Sequence, residues 1–173
     1  MALIVEDGTG LAGAESYVSV SEAGAYLRAR GNAEAWDELE QVDREIALRK
    51  ASDFMRQIYR QRWAGARVHY EQRLDWPRYS VVVDDFTVPS NVVPVDVKQA
   101  CSELALRAAQ GEELMPDLEA GNSQVKREKI GPLDTEYFEN SVGAAERFQS
   151  VTAMLTPYFG ATGGSGMMKV VRA

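Results

Sequence analysis

Between Val42 and Arg60 the apolar residues Ile46, Ala47, Ala51, Phe54, Met55, Ile58 and Tyr59 recur at three- and four-residue spacing. That period predicts a long amphipathic helix with one buried face. Glu45 and Arg49 stand four apart in the favourable order on its other side. A shorter helix is predicted from Val20 to Arg30, with Ala23, Tyr26 and Leu27 on one face. Ser19 precedes it and Glu22 follows three residues later, the spacing of a capping box, and Gly31 closes it. A second helical region begins near Ala33 and carries Trp36 and Leu39. Another helix starts just after Pro94, buries Val97, Cys101, Leu104, Ala105 and Ala108, and stops at Gly111.

Elsewhere the pattern changes. Residues 1–18 hold Gly8, Gly10 and Gly13 and few helix formers, so an extended arm ending in Tyr17-Val18 is expected. Over 61–94, Trp63, Gly65, Trp76-Pro77, Val81-Val82-Val83, Pro89 and Pro94 break any helical period. An ordered loop pinned by the two tryptophans is expected there, with a short strand at Val81–Val83. Gly111 to Ser123 is a polar loop. Val125 to Phe138 alternates charged and apolar residues around Gly131-Pro132, which predicts two extended arms and a turn. Val125, Ile130, Leu133 and Tyr137 are its candidates for a buried side. A last amphipathic helix, about Ala144 to Tyr158, offers Phe148, Val151, Met154 and Leu155 on one face.

Gly160 to Gly166 has the composition of a flexible linker, and Met167-Met168-Lys169-Val170-Val171-Arg172 beyond it is strand-like. A linker ending in a strand former can add a strand to another subunit's sheet. The fold expected is therefore mainly α: a small helical bundle with an extended N-terminal arm, a C-terminal β-hairpin and an extended C-terminal tail. Its parts are an arm at 1–18, a helical core at 19–123, a hairpin plus short helix at 124–159, and a linker and docking tail at 160–173.

Composition narrows the chemistry. The 173 residues are 45% hydrophobic and 26% charged, the mix of a soluble globular protein. No stretch approaches the ~20 apolar residues that span a bilayer, and the short apolar run of the N-terminus lacks the features of a signal peptide. A cytoplasmic place of assembly is expected. With one cysteine, Cys101, and one histidine, His69, there is no internal disulfide and no thiolate cluster. Cys101 falls in a helix as a small buried hydrophobe, and nothing around the pair resembles a nucleophile motif.

The glycines at Gly8-Thr9-Gly10 and Gly163-Gly164-Ser165-Gly166 lack the Lys-Ser/Thr of a phosphate loop. Asp84-Asp85 and Glu112-Glu113 read as solvated turns rather than metal ligands. Tyr59-Arg60-Gln61-Arg62-Trp63 could stack single-stranded bases. The simpler reading buries both aromatics and lets the arginines reach water. A net charge of −7 and a pI near 4.8 oppose binding to a phosphate backbone. Neither a catalytic constellation nor a cofactor or metal site emerges, so a non-enzymatic, structural role is expected.

Several segments, in order, resemble the tailed-phage head–tail connector or adaptor proteins. They are Val5-Glu6-Asp7-Gly8-Thr9-Gly10 with Ala14-Glu15-Ser16-Tyr17-Val18-Ser19, then Ala47-Leu48-Arg49-Lys50-Ala51-Ser52-Asp53, then Gln72-Arg73-Leu74-Asp75-Trp76-Pro77-Arg78. Val93-Pro94-Val95-Asp96-Val97-Lys98 through Ala105 and Val125-Lys126-Arg127-Glu128-Lys129-Ile130-Gly131-Pro132-Leu133 through Tyr137 complete the series. The resemblance implies a mostly helical virion subunit at the neck, assembled in the host cytoplasm. It would form a ring, twelve-fold in the expected case, beneath the portal. DNA would pass through the ring without being specifically held, and a downstream tail or neck protein would meet its far side.

Met167, Met168, Lys169, Val170, Val171 and Arg172 then become the portal-docking candidates. Lys126, Arg127, Lys129, Ile130, Gly131, Pro132, Leu133 and Tyr137 become the ring-contact or channel hairpin. Proteins of this sort also carry the label DnaT-like single-stranded-DNA-binding protein. That label supplies the alternative function.

Overall fold

The computed structural model describes residues 2–115, 127–130, 133–136 and 148–160, the two short middle ranges through their backbone. The fold is mainly helical. Helix α1 (Val20–Ala29) begins as its sequence dictates: the Ser19 hydroxyl accepts from the Glu22 amide, and the Glu22 carboxylate accepts from the Ser19 amide. Gly31, at φ +71°, ends it in the left-handed conformation that costs glycine least. The region around Trp36 is only one turn, α2 (Glu34–Asp37).

Helix α3 (Gln41–Tyr59) is the axis of the molecule, and α4 (Val95–Ala109) packs along it. Their shared core holds Leu48, Ala51, Phe54 and Met55 from one side and Val97, Cys101, Leu104 and Ala105 from the other. Two expectations change here. Ile46 is 40% exposed, because the buried stripe of α3 runs through Ala47 and Leu48 instead. Ala108 is only half-buried, in the last turn of α4. Helix α5 (Gln149–Leu155) continues into a 3₁₀ turn (Thr156–Tyr158) and caps the core with Phe148, Val151 and Leu155. The expected start of this helix, 144–147, lies outside the described residues.

The ordered loop of 61–94 contains more pairing than a single strand. β1 (Ala66–Arg67) pairs antiparallel with β2 (Arg78–Tyr79). β3 (Val82–Val83) and β4 (Phe86–Thr87) form a tight hairpin. Trp63 and Trp76 pin the loop edge to face, with ring centroids 5.7 Å apart. The expected C-terminal hairpin is β5 (Arg127–Ile130) with β6 (Leu133–Glu136), in the register Arg127 opposite Glu136 and Ile130 opposite Leu133. Its flanks and turn, including Val125, Lys126, Gly131, Pro132 and Tyr137, lie outside the described residues. So does the whole Met167–Arg172 segment.

The N-terminal arm is extended but lies back on the core. Val5 bridges Ser16 in parallel, the Glu6 amide donates to the Ser16 carbonyl at 2.9 Å, and Ala14, Tyr17 and Val18 are buried.

Candidate functional site

The glycines of the Gly8-Thr9-Gly10 turn point several main-chain amides at one spot, the geometry that elsewhere binds an anion. Here the anion is the protein's own. The buried Glu6 carboxylate accepts from the amides of Gly8 (2.9 Å), Gly10 (2.8 Å) and Leu11 (2.9 Å). Gly8, at φ +101°, lies so close to the loop at Asn91 that a Cβ would fall 2.2 Å from its carbonyl oxygen. The turn is a structural knot that has no room for a phosphate.

The Tyr59–Trp63 stretch is closed in the same sense. Tyr59 and Trp63 are buried, stacked or tilted against Phe159 and edge-on to one another. Arg62 lies across the Phe159 ring, 4.3 Å from its centroid, and Arg60 reaches out to solvent. The aromatic faces that could stack bases already stack on each other. Cys101 is sealed in the core 3.4 Å from the Ser52 hydroxyl, and burial pushes its thiol up, away from the reactive thiolate. His69 sits on the surface of the 68–73 loop. The two do not form a catalytic pair. Asp84 and Asp85 are the two central residues of the β3–β4 hairpin, both at positive φ (50° and 68°), as the solvated-turn reading expects.

The Gln72–Arg78 segment is a buried polar network. The Gln72 side chain accepts from the amides of Val68 and His69 and donates to the Pro77 carbonyl. Arg78 donates to the carbonyls of Ala64 (2.7 Å), Gly65 (2.8 Å) and Asp75 (3.1 Å). The Asp75 amide donates to the Tyr17 hydroxyl at 3.0 Å. The Asp75 carboxylate is buried, lacks a hydrogen-bond partner, and has the Arg60 guanidinium at 4.0 Å. Burial pushes its pKa above the usual carboxylate range, opposed by the charge of Arg60 and then of Arg78 and Arg67. Apart from Arg60, whose side chain is half exposed, the side chains of this network face inward, so it holds the loop in place and offers no ligand site.

Besides a polar cleft among Gly31, Glu34, Glu103 and Gln110, two accessible features stand at the ends of α3. At its first turns, residues 2–5, the start of α1, Trp36 and α3 itself enclose an open cleft of about 520 Å³. Beyond its other end, the β3–β4 hairpin carries Phe86 at 78% exposure and Val82 at 56%. Sequence reading named Asp84-Asp85 and missed Phe86; a lone aromatic after a two-residue acidic turn was the available signal.

Of the sequence-derived contact residues, the backbone of Arg127, Lys129, Ile130 and Leu133 lies in β5–β6 as expected. No helix among the described residues is long and apolar enough to cross a membrane. Comparison with curated proteins and with solved structures gave no match. One family model matches residues 1–173, and by that match the chain belongs to the family described as "Putative DnaT-like ssDNA binding protein".

Proposed function

We propose that this chain is a structural subunit of a tailed-phage head–tail adaptor. In this reading copies of it form a ring beneath the portal, twelve in the expected assembly. The ring extends the DNA channel and presents its far face to a tail or neck protein. The chain performs no catalysis and carries no cofactor. Met167–Arg172 docks on the portal, and the hairpin around Gly131-Pro132 makes ring contacts or lines the channel. The observation that carries the reading is the ordered series of segments resembling adaptor proteins, running from Val5 to Tyr137. A net charge of −7 supports it, since a channel wall that repels phosphate lets DNA slide.

A second reading is single-stranded-DNA binding. The family's own description favours it, and more directly than it favours the adaptor. Against it stand the acidity of the chain and the enclosure of Tyr59 and Trp63, the aromatics best placed in sequence to stack bases.

Two measurements separate the readings. Electron microscopy of the chain mixed with its portal shows rings on the portal if the adaptor reading holds. Titration of a fluorescent oligothymidylate at near-physiological salt should show no binding. Tight binding that weakens steeply with added salt would establish the second reading and overturn the first. Deleting Gly163–Ala173 should leave the helical core folded and abolish portal binding. Unchanged affinity of the truncated chain would remove the docking role of Met167–Arg172.

A further inference from the structure

The β3–β4 hairpin has the shape of a wedge. Its two-residue strands allow no more than one cross-strand pair on each face: Val82 with Thr87, and Val83 with Phe86. An exposed apolar residue therefore stands on each side, Val82 on one and Phe86 on the other. Asp84 and Asp85 form the tip between them. Two large apolar side chains left in water on one short hairpin make a candidate contact surface.

The cleft at the opposite end of α3 has the matching chemistry. Leu3, Val20 and Trp36 supply apolar lining, Arg28 and Arg44 supply positive charge, and the carboxylate of Glu45, also in the lining, is paired with Arg49 at 3.5 Å. Arg28 is held by Asp37 at 2.6 Å. Arg44 instead donates to the main-chain carbonyls of Trp36 and Asp37, both at 2.9 Å. Those neutral acceptors fix the guanidinium in place, and the nearby Asp37 carboxylate is shared between Arg28 and Arg44, so two cations face one anion there. An acid-tipped apolar wedge and an apolar cleft with a fixed cation are complementary.

The two features cannot meet within one molecule. From Glu45, the last cleft residue on it, to Tyr59, helix α3 rises about 21 Å, which keeps them apart. The cleft is lined by its first turns, Gln41 to Glu45. The hairpin follows Val81, whose side chain packs beside Gly65, past the helix's far end. We infer that the β3–β4 hairpin of one copy of this chain seats in the α1–α2–α3 cleft of the next, with Phe86 and Val82 in the apolar part and Asp84-Asp85 toward Arg44. Such a contact joins unlike surfaces and repeats head to tail, which closes rings or propagates filaments. It deepens the ring reading and rests on it for the closure of the ring alone.

Cross-linking of full-length chains tests it without portal or DNA. One variant carries Thr87→Cys, beside an intact Phe86, and another Ser21→Cys at the cleft rim; both positions are exposed, and the native Cys101 is buried in each. Oxidation of the mixture should give a mixed disulfide dimer at about tenfold the yield of either variant alone. Adding Arg44→Glu to the Ser21→Cys chain should abolish that excess, and adding Asp85→Arg to its partner should restore it.

Equal yields from the single variants would mean like surfaces meet, and overturn the proposal. So would a mixture that gives no excess at any concentration, or an excess indifferent to both charge reversals. A peptide of residues 161–173 that displaces the hairpin would assign the cleft to the chain's own last segment and overturn it too. Rings on the portal without the cross-link would sink this contact and leave the adaptor reading standing. The cross-link without portal binding would do the reverse.

Discussion

Two neighbouring stretches of the 61–94 loop invert the usual relation between polarity and burial. From Gln72 to Arg78, glutamine, aspartate and arginine side chains are buried. From Val82 to Thr87, valine and phenylalanine stand in water. The first stretch shows what buried polarity is for in an irregular loop: the carbonyls of residues 64, 65 and 77 have no helix or sheet to bond to, and Arg78 and Gln72 supply donors. The second has no such internal duty, since its strands already pair with one another. Its exposed apolar area is the part that the proposed contact between copies would cover. The same loop is a fastening on one side and an exposed apolar surface on the other.

That contrast can be broken by substitution, and the two stretches should respond in opposite ways. Trp76→Ala removes a fully buried ring from the fastened side and should destabilise the fold by about 4 kcal/mol, read from urea denaturation. Glu6→Ala unties the N-terminal turn that abuts the loop at Asn91. It leaves three amides without their charged acceptor and should cost about 3 kcal/mol by the same measurement.

Asp75→Asn sharpens the picture through pH. Because burial raises the native pKa of Asp75, the native state holds this proton more tightly than the unfolded chain does. Its contribution is then most favourable below the unfolded value of about 3.9, and is lost as pH rises through the native pKa. Wild type should lose stability relative to Asp75→Asn over that rise, and a difference independent of pH would contradict the buried-carboxylate account. The smallest effect belongs to the exposed side. Phe86→Ser should change the stability of the isolated chain by no more than about 0.5 kcal/mol while removing the association between copies, measured by sedimentation.

The helices were legible because their signals are local. The Ser19–Glu22 capping box, Gly31, Pro94 and Gly111 mark ends within a turn of where the chain obeys them. Ile46 was misread because the apolar stripe of α3 is wider than the face its neighbours cover, and period alone does not say how wide that cover is. The fastening of the loop was not legible for a different reason. Arg78 reaches back 13 and 14 residues, and Tyr17 meets Asp75 across 58, so no spacing rule connects them. The N-terminal turn lay between these cases. An acid two residues before a Gly-x-Gly can cap its own turn, and Glu6 does so. The candidate contact site was legible as a turn at Asp84-Asp85 but not as a surface, since exposure is a property of the finished molecule.

The 3₁₀ turn after α5 sets the order in which that molecule can be finished. Phe159 bridges Trp63, the Ala64 amide donates to the Tyr158 carbonyl, and the Gly160 amide donates to the Arg62 carbonyl. Phe148 covers Phe54 edge to face. A chain emerging from the ribosome therefore has α1 through α4 in hand while the rings of Phe54, Tyr59 and Trp63 still lack their lid. Synthesis must run past residue 160 before the core can close. Until then the nascent chain shows any chaperone the rings of Phe54, Tyr59 and Trp63, which the folded chain buries.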